Sequence, residues 1–105
     1  MTKQQKKGEK MKYYMVTHTF KSKEMKDKFN EVTGGMSRED MIKSSTSDKA
    51  KCQMTYFTPG DTMTMFCHWM AESTDAINEQ LSQMNDFFEP HQFTEVKEEV
   101  FDFNK

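Results

Sequence analysis

Leucine is almost missing from this chain. Its 105 residues include one Leu (Leu81), two Ile (Ile42 and Ile77), four Val and three Ala. That scarcity excludes a Leu-zippered coiled coil and an Ala/Leu helical bundle. No run of about 18 apolar residues occurs, so no helical membrane span is expected. Cysteine is scarce too. Cys52 and Cys67 form no CxxC pair, and nothing supplies the roughly four closely spaced ligands of a structural zinc site. The basic run Lys3–Lys12 has no apolar stretch and is not a secretory signal. The two thiols are therefore expected to be reduced, in a cytoplasmic protein. No GxSxG, Walker A, GxGxxG or HExxH pattern is present.

What is abundant is unusual. Eleven Met and nine Phe stand where Leu and Ile would normally build a core. Thioethers are flexible and polarisable, so such a core fills irregular gaps but specifies its packing weakly. Apolar residues are 34% and charged residues 30% of the chain. Mean hydropathy is −0.95. The length suits one domain. The net charge of −2 is unevenly spread. Residues 1–12 hold five Lys and one Glu, while the remainder has ten basic and sixteen acidic side chains. The chain divides into a flexible basic tail, 1–12, and a single acidic domain, 13–105. An acidic domain argues against a nucleic-acid-binding face.

The apolar pattern yields an element order. Tyr13–Phe20 (YYMVTHTF) reads as a strand, rich in aromatic and β-branched residues. Ser22 is an N-cap, and Met25, Phe29 and Val32 form one helical stripe that stops at Gly34-Gly35. Ser37 starts a short turn of helix carrying Met41 and Ile42. Lys51–Thr58 and Thr62–Met70 are strands joined at Pro59-Gly60-Asp61 as a hairpin. Ser73-Thr74-Asp75 caps a helix to about Phe88, with Ile77, Leu81, Met84 and Phe88 on one stripe. Glu89-Pro90 ends it, and Gln92–Phe103 is a long acidic last strand.

The order β-α-β-β-α-β predicts an α+β fold, a ferredoxin-like plait. Its four-stranded antiparallel sheet has the spatial order 4-1-3-2 and carries two helices on one face. Both faces of the strands are apolar. Met63, Met65, Cys67 and Trp69 alternate with Phe66, His68 and Met70, and Tyr14, Val16 and Phe20 alternate with Tyr13 and Met15. Two helices cover one face, so the other calls for a partner. The simplest is a second copy packed sheet to sheet, a homodimeric α+β barrel.

Three histidines supply the chemistry. Strands 1 and 3 are expected to be central, adjacent and parallel, which puts His18 and His68 at one end of the sheet, with His91 nearby at the start of strand 4. Such a group would suit a divalent metal such as nickel or zinc, or would provide a general base. His18 and Phe20 share a face, so Tyr14, His18, Phe20 and His68 are the candidate ligand-binding residues, and His18, His68 and His91 the candidate metal ligands. Glu72 and Asp75 serve the start of the second long helix. An RNA-recognition module shares this element order, but TMTMFCHWM lacks the Lys/Arg-Gly-aromatic pattern of its third strand.

Tyr14–Phe20 (YMVTHTF) resembles the first strand of small ferredoxin-like proteins, among them a bacterial nickel-binding family. Met65–Ile77 (MFCHWMAESTDAI) resembles the third strand and second-helix start of the same group. Together these segments cover about a fifth of the chain. The resemblance implies a homodimeric α+β barrel and leaves open a nickel-type site near His18. The wider dimeric α+β barrel superfamily includes cofactor-independent monooxygenases. Three functions follow as expectations. One is a binder of a small ligand or divalent metal in a cleft near His18 and His68. Another is a monooxygenase-like enzyme with His18 or His68 as proton acceptor and Tyr14 or Trp69 positioning an aromatic substrate. The third is an interaction module without a pocket.

Overall fold

The computed structural model describes residues 11–105. Most of the basic tail, 1–12, lies outside them. The elements run β1 (Lys12–Thr19), α1 (Lys23–Gly34), α2 (Arg38–Ser44), β2 (Ala50–Tyr56), β3 (Thr64–Ala71), α3 (Thr74–Gln80), a 3₁₀ segment (Ser82–Phe87) and β4 (Gln92–Val96). Three serines start the helices. Ser22 accepts from the Met25 N–H, Ser37 from the Asp40 N–H and Ser73 from the Ala76 N–H, each satisfying one of the donors a helix start leaves unpaired. At the β2–β3 turn Gly60 takes φ +53°, a left-handed conformation that a side chain would strain.

The strands form one sheet in the order β2-β3-β1-β4, which is 4-1-3-2 read from the other edge. All three neighbouring pairs are antiparallel. The fold is α+β with four antiparallel strands, compatible with a ferredoxin-like arrangement. Among the described residues no helix is long and apolar enough to cross a membrane.

The helices lie over one face. Tyr14, Val16, His18 and Phe20 of the first strand region, Met65, Cys67, Trp69 and Ala71 of β3, and Ala50 of β2 are buried there, against Phe29, Ala76, Ile77 and Phe88. The opposite face carries Tyr13 and Met15 on β1 and Phe66, His68 and Met70 on β3, none of them buried.

The structure corrects four expectations. β1 and β3 are adjacent but antiparallel, with His18 opposite Met65 and Met15 opposite His68. His18 and His68 therefore do not share an end of the sheet. The second long helix ends as α-helix at Gln80 and continues as a 3₁₀ segment. Ser82, Asn85 and Asp86 fall there, residues that compete for backbone hydrogen bonds and favour the tighter turn. β4 stops at Val96, opposite Tyr13 and near the start of β1, rather than running to Phe103. Finally, the buried stripe of α1 is Lys26 and Phe29; Met25 is half-buried and Val32 exposed.

Lys26 on that stripe is unexpected. It is 2% exposed, and among the described residues no carboxylate partners it. Its Nζ donates to the carbonyl oxygens of Gly60 at 2.9 Å, of Pro59 at 3.4 Å and of Thr62. The ammonium also sits 5.9 Å from the centroid of the Phe20 ring. One cation thus ties α1 to the β2–β3 turn. Lys26 precedes Phe29 by three residues, a helical spacing that puts both on one face.

Candidate functional site

A cavity of about 70 Å³ lies between the inner face of the sheet and the helices. Its floor is His18 of β1, Cys52 and Thr55 of β2, and Met65, Cys67 and Trp69 of β3. Its roof is Phe29, Met36, Met41 and Met84 from the helical layer, with Gln80 and Gln83 at one side. α2 buries none of its residues, although Gln80 Nε2 donates to the Ser44 carbonyl at its end at 2.8 Å. Among the described residues no Lys, Arg, Asp or Glu lines the cavity. Four of the lining residues are methionines, so part of the Met excess forms a deformable wall.

Uncharged polar side chains join the methionines and aromatic rings, among them Thr33, Ser44, Ser45, Thr55, Gln80 and Gln83. Trp69 is 1% exposed, and its Nε1, which faces the Cys67 thiol, is the single fully buried side-chain nitrogen or oxygen without a hydrogen bond of good geometry among the described residues. Beside it is a thiol pair. Thr55 Oγ1 lies 3.5 Å from Cys52 Sγ and 3.4 Å from Cys67 Sγ. Both cysteines are free. The Cys67 thiol beside Cys52 pulls the Cys52 thiol below its ordinary value, with burial opposing. The same contact, with burial, pushes Cys67 up, so Cys67 stays a neutral thiol. The pair has no signal in the sequence, because the two strands become neighbours only in the sheet.

His18 is 2% exposed and borders the cavity. Its Nδ1 is 2.8 Å from Nδ1 of His91. β1 and β4 pair with Thr17 opposite Gln92, so His91, one residue before β4, falls beside His18. The far nitrogen of His91, Nε2, is 2.9 Å from Asn85 Oδ1 in the 3₁₀ segment. The Phe88 ring packs 5.3 Å from His18 and 5.5 Å from His91, centroid to centroid. Burial, then the neighbouring His91, pushes the His18 imidazole down to about 3. Burial also lowers His91. Both rings are neutral at pH 7. His91 and Asn85 line a groove on the outer surface with Lys21, Asn78 and Glu89. The two-histidine bridge therefore stands between an outer groove and the inner cavity.

The expected site is thus rearranged. His18 and His91 meet, but their Nδ1 atoms bond each other. His68 lies on the opposite face of the sheet, where it packs 5.8 Å from the Tyr13 ring. The three-histidine ligand group does not form, and among the described residues no three His, Cys, Asp or Glu side chains are grouped to hold a metal ion. Of the ligand-binding candidates, His18 lines the cavity. Tyr14 and Phe20 are buried in the core rather than on its wall, and Phe20 stacks with Phe29 and Phe88. Asn85 carried no sequence signal, since its role depends on the turn that brings it back to His91.

Comparison with known proteins returns nothing: no family model matches the chain, and no curated protein or solved structure matches it.

Proposed function

We propose that this protein binds a small, uncharged molecule bearing a hydrogen-bond acceptor in the cavity beneath its helices. The observation that carries the reading is a cavity without charged side chains, bordered by His18 and by Trp69, whose buried Nε1–H has no nitrogen or oxygen acceptor and faces the Cys67 thiol. A buried donor left without a good acceptor costs about 1–3 kcal/mol; the nitrogen is closed to water, so a ligand oxygen recovers that cost where the deformable Met wall yields to admit it. The absence of charged side chains from the wall favours a neutral occupant, because a buried ion would lack a counter-charge. Size narrows the class. The cavity is about 70 Å³, whereas an apolar cavity of about 150 Å³ is known to admit benzene. An aromatic substrate, as a monooxygenase-like enzyme would require, needs the Met wall to move. A cavity touching a histidine also favours a binder over an interaction module without a pocket.

Trp69 is the sole tryptophan, so its indole N–H gives one cross-peak in a ¹⁵N–¹H spectrum. Titration with acetone, a four-heavy-atom acceptor, is expected to shift that peak saturably and to raise the melting temperature. Isobutene, the matching hydrocarbon, is expected to do neither. Equal responses to both compounds, or none to either, would falsify the reading.

A second reading concerns assembly. We infer that the chain is a ferredoxin-like plait that pairs with a second copy through the outer face of the sheet, as in dimeric α+β barrels. Met54, Tyr56 and Phe66 are 56%, 50% and 38% exposed there, with Met15, Met70 and Tyr13 beside them. A patch of this kind marks an interaction surface. Light scattering at micromolar concentration is expected to give twice the chain mass; the mass of one chain refutes the dimer.

A further inference from the structure

The hydrogen bonds around His18 set the other half of the cavity's selectivity. Asn85 Oδ1 has lone pairs and no proton, so it accepts only. His91 Nε2, 2.9 Å away, must then carry the hydrogen. A neutral imidazole has one N–H, so Nδ1 of His91 is bare. The 2.8 Å contact between the two Nδ1 atoms needs one proton, and only His18 can supply it. His18 is therefore the Nδ1–H tautomer, with an unprotonated Nε2. No hydrogen bond to that nitrogen occurs among the described residues, yet it is not one of their closed-off polar atoms, so it keeps accessible surface where His18 borders the cavity.

We propose that Asn85 and His91 act as positioning residues that lock His18 in the Nδ1–H form, so that the cavity offers an acceptor at His18 Nε2 as well as a donor at Trp69 Nε1. The ligand class becomes amphiprotic: a small neutral molecule with both a hydrogen-bond acceptor and an N–H or O–H, such as a primary amide, an alcohol or an undissociated acid. This rests on the cavity reading above and adds the donor requirement. The chain Asn85–His91–His18 also reaches from the outer groove to the cavity, so the lock is set from the surface, where Asn85 is exposed and replaceable.

The test has two readouts, both at pH 8, where the rings are neutral. Long-range ¹⁵N–¹H correlation of the histidine rings is expected to show a protonated Nδ1 and a bare Nε2 for His18. Asn85→Ala should abolish that preference, and Asn85→Asp, an acceptor with no donor, should keep it. Binding is followed at the Trp69 indole peak with acetamide against acetone, which have the same heavy-atom count. Acetamide is expected to bind about five-fold tighter, the worth of one added hydrogen bond. The advantage should vanish in Asn85→Ala and return in Asn85→Asp. An Nε2–H tautomer at His18 in the native chain overturns the lock even if acetone binds. The expected tautomer with no acetamide preference overturns the ligand class. If neither compound binds, the cavity reading fails and the ligand class with it.

Discussion

The two faces of the sheet are built from similar residues and meet different fates. The inner face carries Val16, His18, Met65, Cys67 and Trp69, all 5% exposed or less. The outer face carries Tyr13, Met15, Phe66, His68 and Met70, none of them buried. Each strand alternates by two residues, so one step along β1 or β3 moves a side chain from one environment to the other. His18 and His68 illustrate the consequence. One is buried, bonded to a second histidine and held neutral; the other packs beside Tyr13 in reach of solvent. Apolar character therefore does not by itself make a face into a core. The helical layer does, and it leaves a Met-walled cavity where its fit is incomplete.

Equivalent truncations on the two faces test this contrast most directly. Phe29→Ala, which opens the aromatic cluster of Phe20, Phe87 and Phe88 above the inner face, is expected to cost about 3–5 kcal/mol in urea unfolding. Phe66→Ala on the outer face should cost about 1 kcal/mol or less in a single chain. Equal costs would mean that the outer face is as well covered in solution as the inner one. A cost for Phe66→Ala that grows with protein concentration would locate the dimer seam.

Lys26→Met is next in size. It keeps the length of the side chain but leaves the carbonyls of Gly60 and Thr62 without their donor. A loss of about 2–3 kcal/mol is expected, because hydrogen bonds to a charged group are among the stronger ones. A neutral or stabilising result would show that the buried ammonium costs more in lost hydration than its carbonyl partners return.

Acid weakens the inner face by a smaller amount. In the unfolded chain His18 titrates near its ordinary 6.5; in the folded chain it is pushed down to about 3. The unfolded state binds the extra proton, so the stability from a neutral His18 is complete above pH 6.5 and is lost as pH falls toward 3. By pH 5 the native chain should be about 1–2 kcal/mol less stable than at pH 7 on this account. His18→Gln should flatten the decline, leaving the part due to His91. A decline in His18→Gln as steep as in the native chain would refute the assignment.

Local rules read from residue order account for much of the fold. The three serine caps, the Pro-Gly turn and the alternation of β1 and β3 needed only neighbours within a few positions. Those signals were enough for four strands, the helices and two opposed apolar faces. They failed where the outcome depended on distant chain. Lys26 carries no local signal of burial; its carbonyl partners come from the β2–β3 turn, more than thirty residues on. The last strand reads as continuing to Phe103 until it is seen to pair with β1 only as far as Val96 opposite Tyr13. His18 was legible as a site residue, but its partner was not. Strand direction decided that: antiparallel pairing carried His68 away and brought in His91, with Asn85 behind it. Residue types and spacing thus established which side chains were available for a site, because periodicity is a property of the chain alone. Which of them meet, which ring nitrogen holds a proton and where a cavity remains were decided by packing, because burial and hydrogen-bond partners come from segments far apart in sequence.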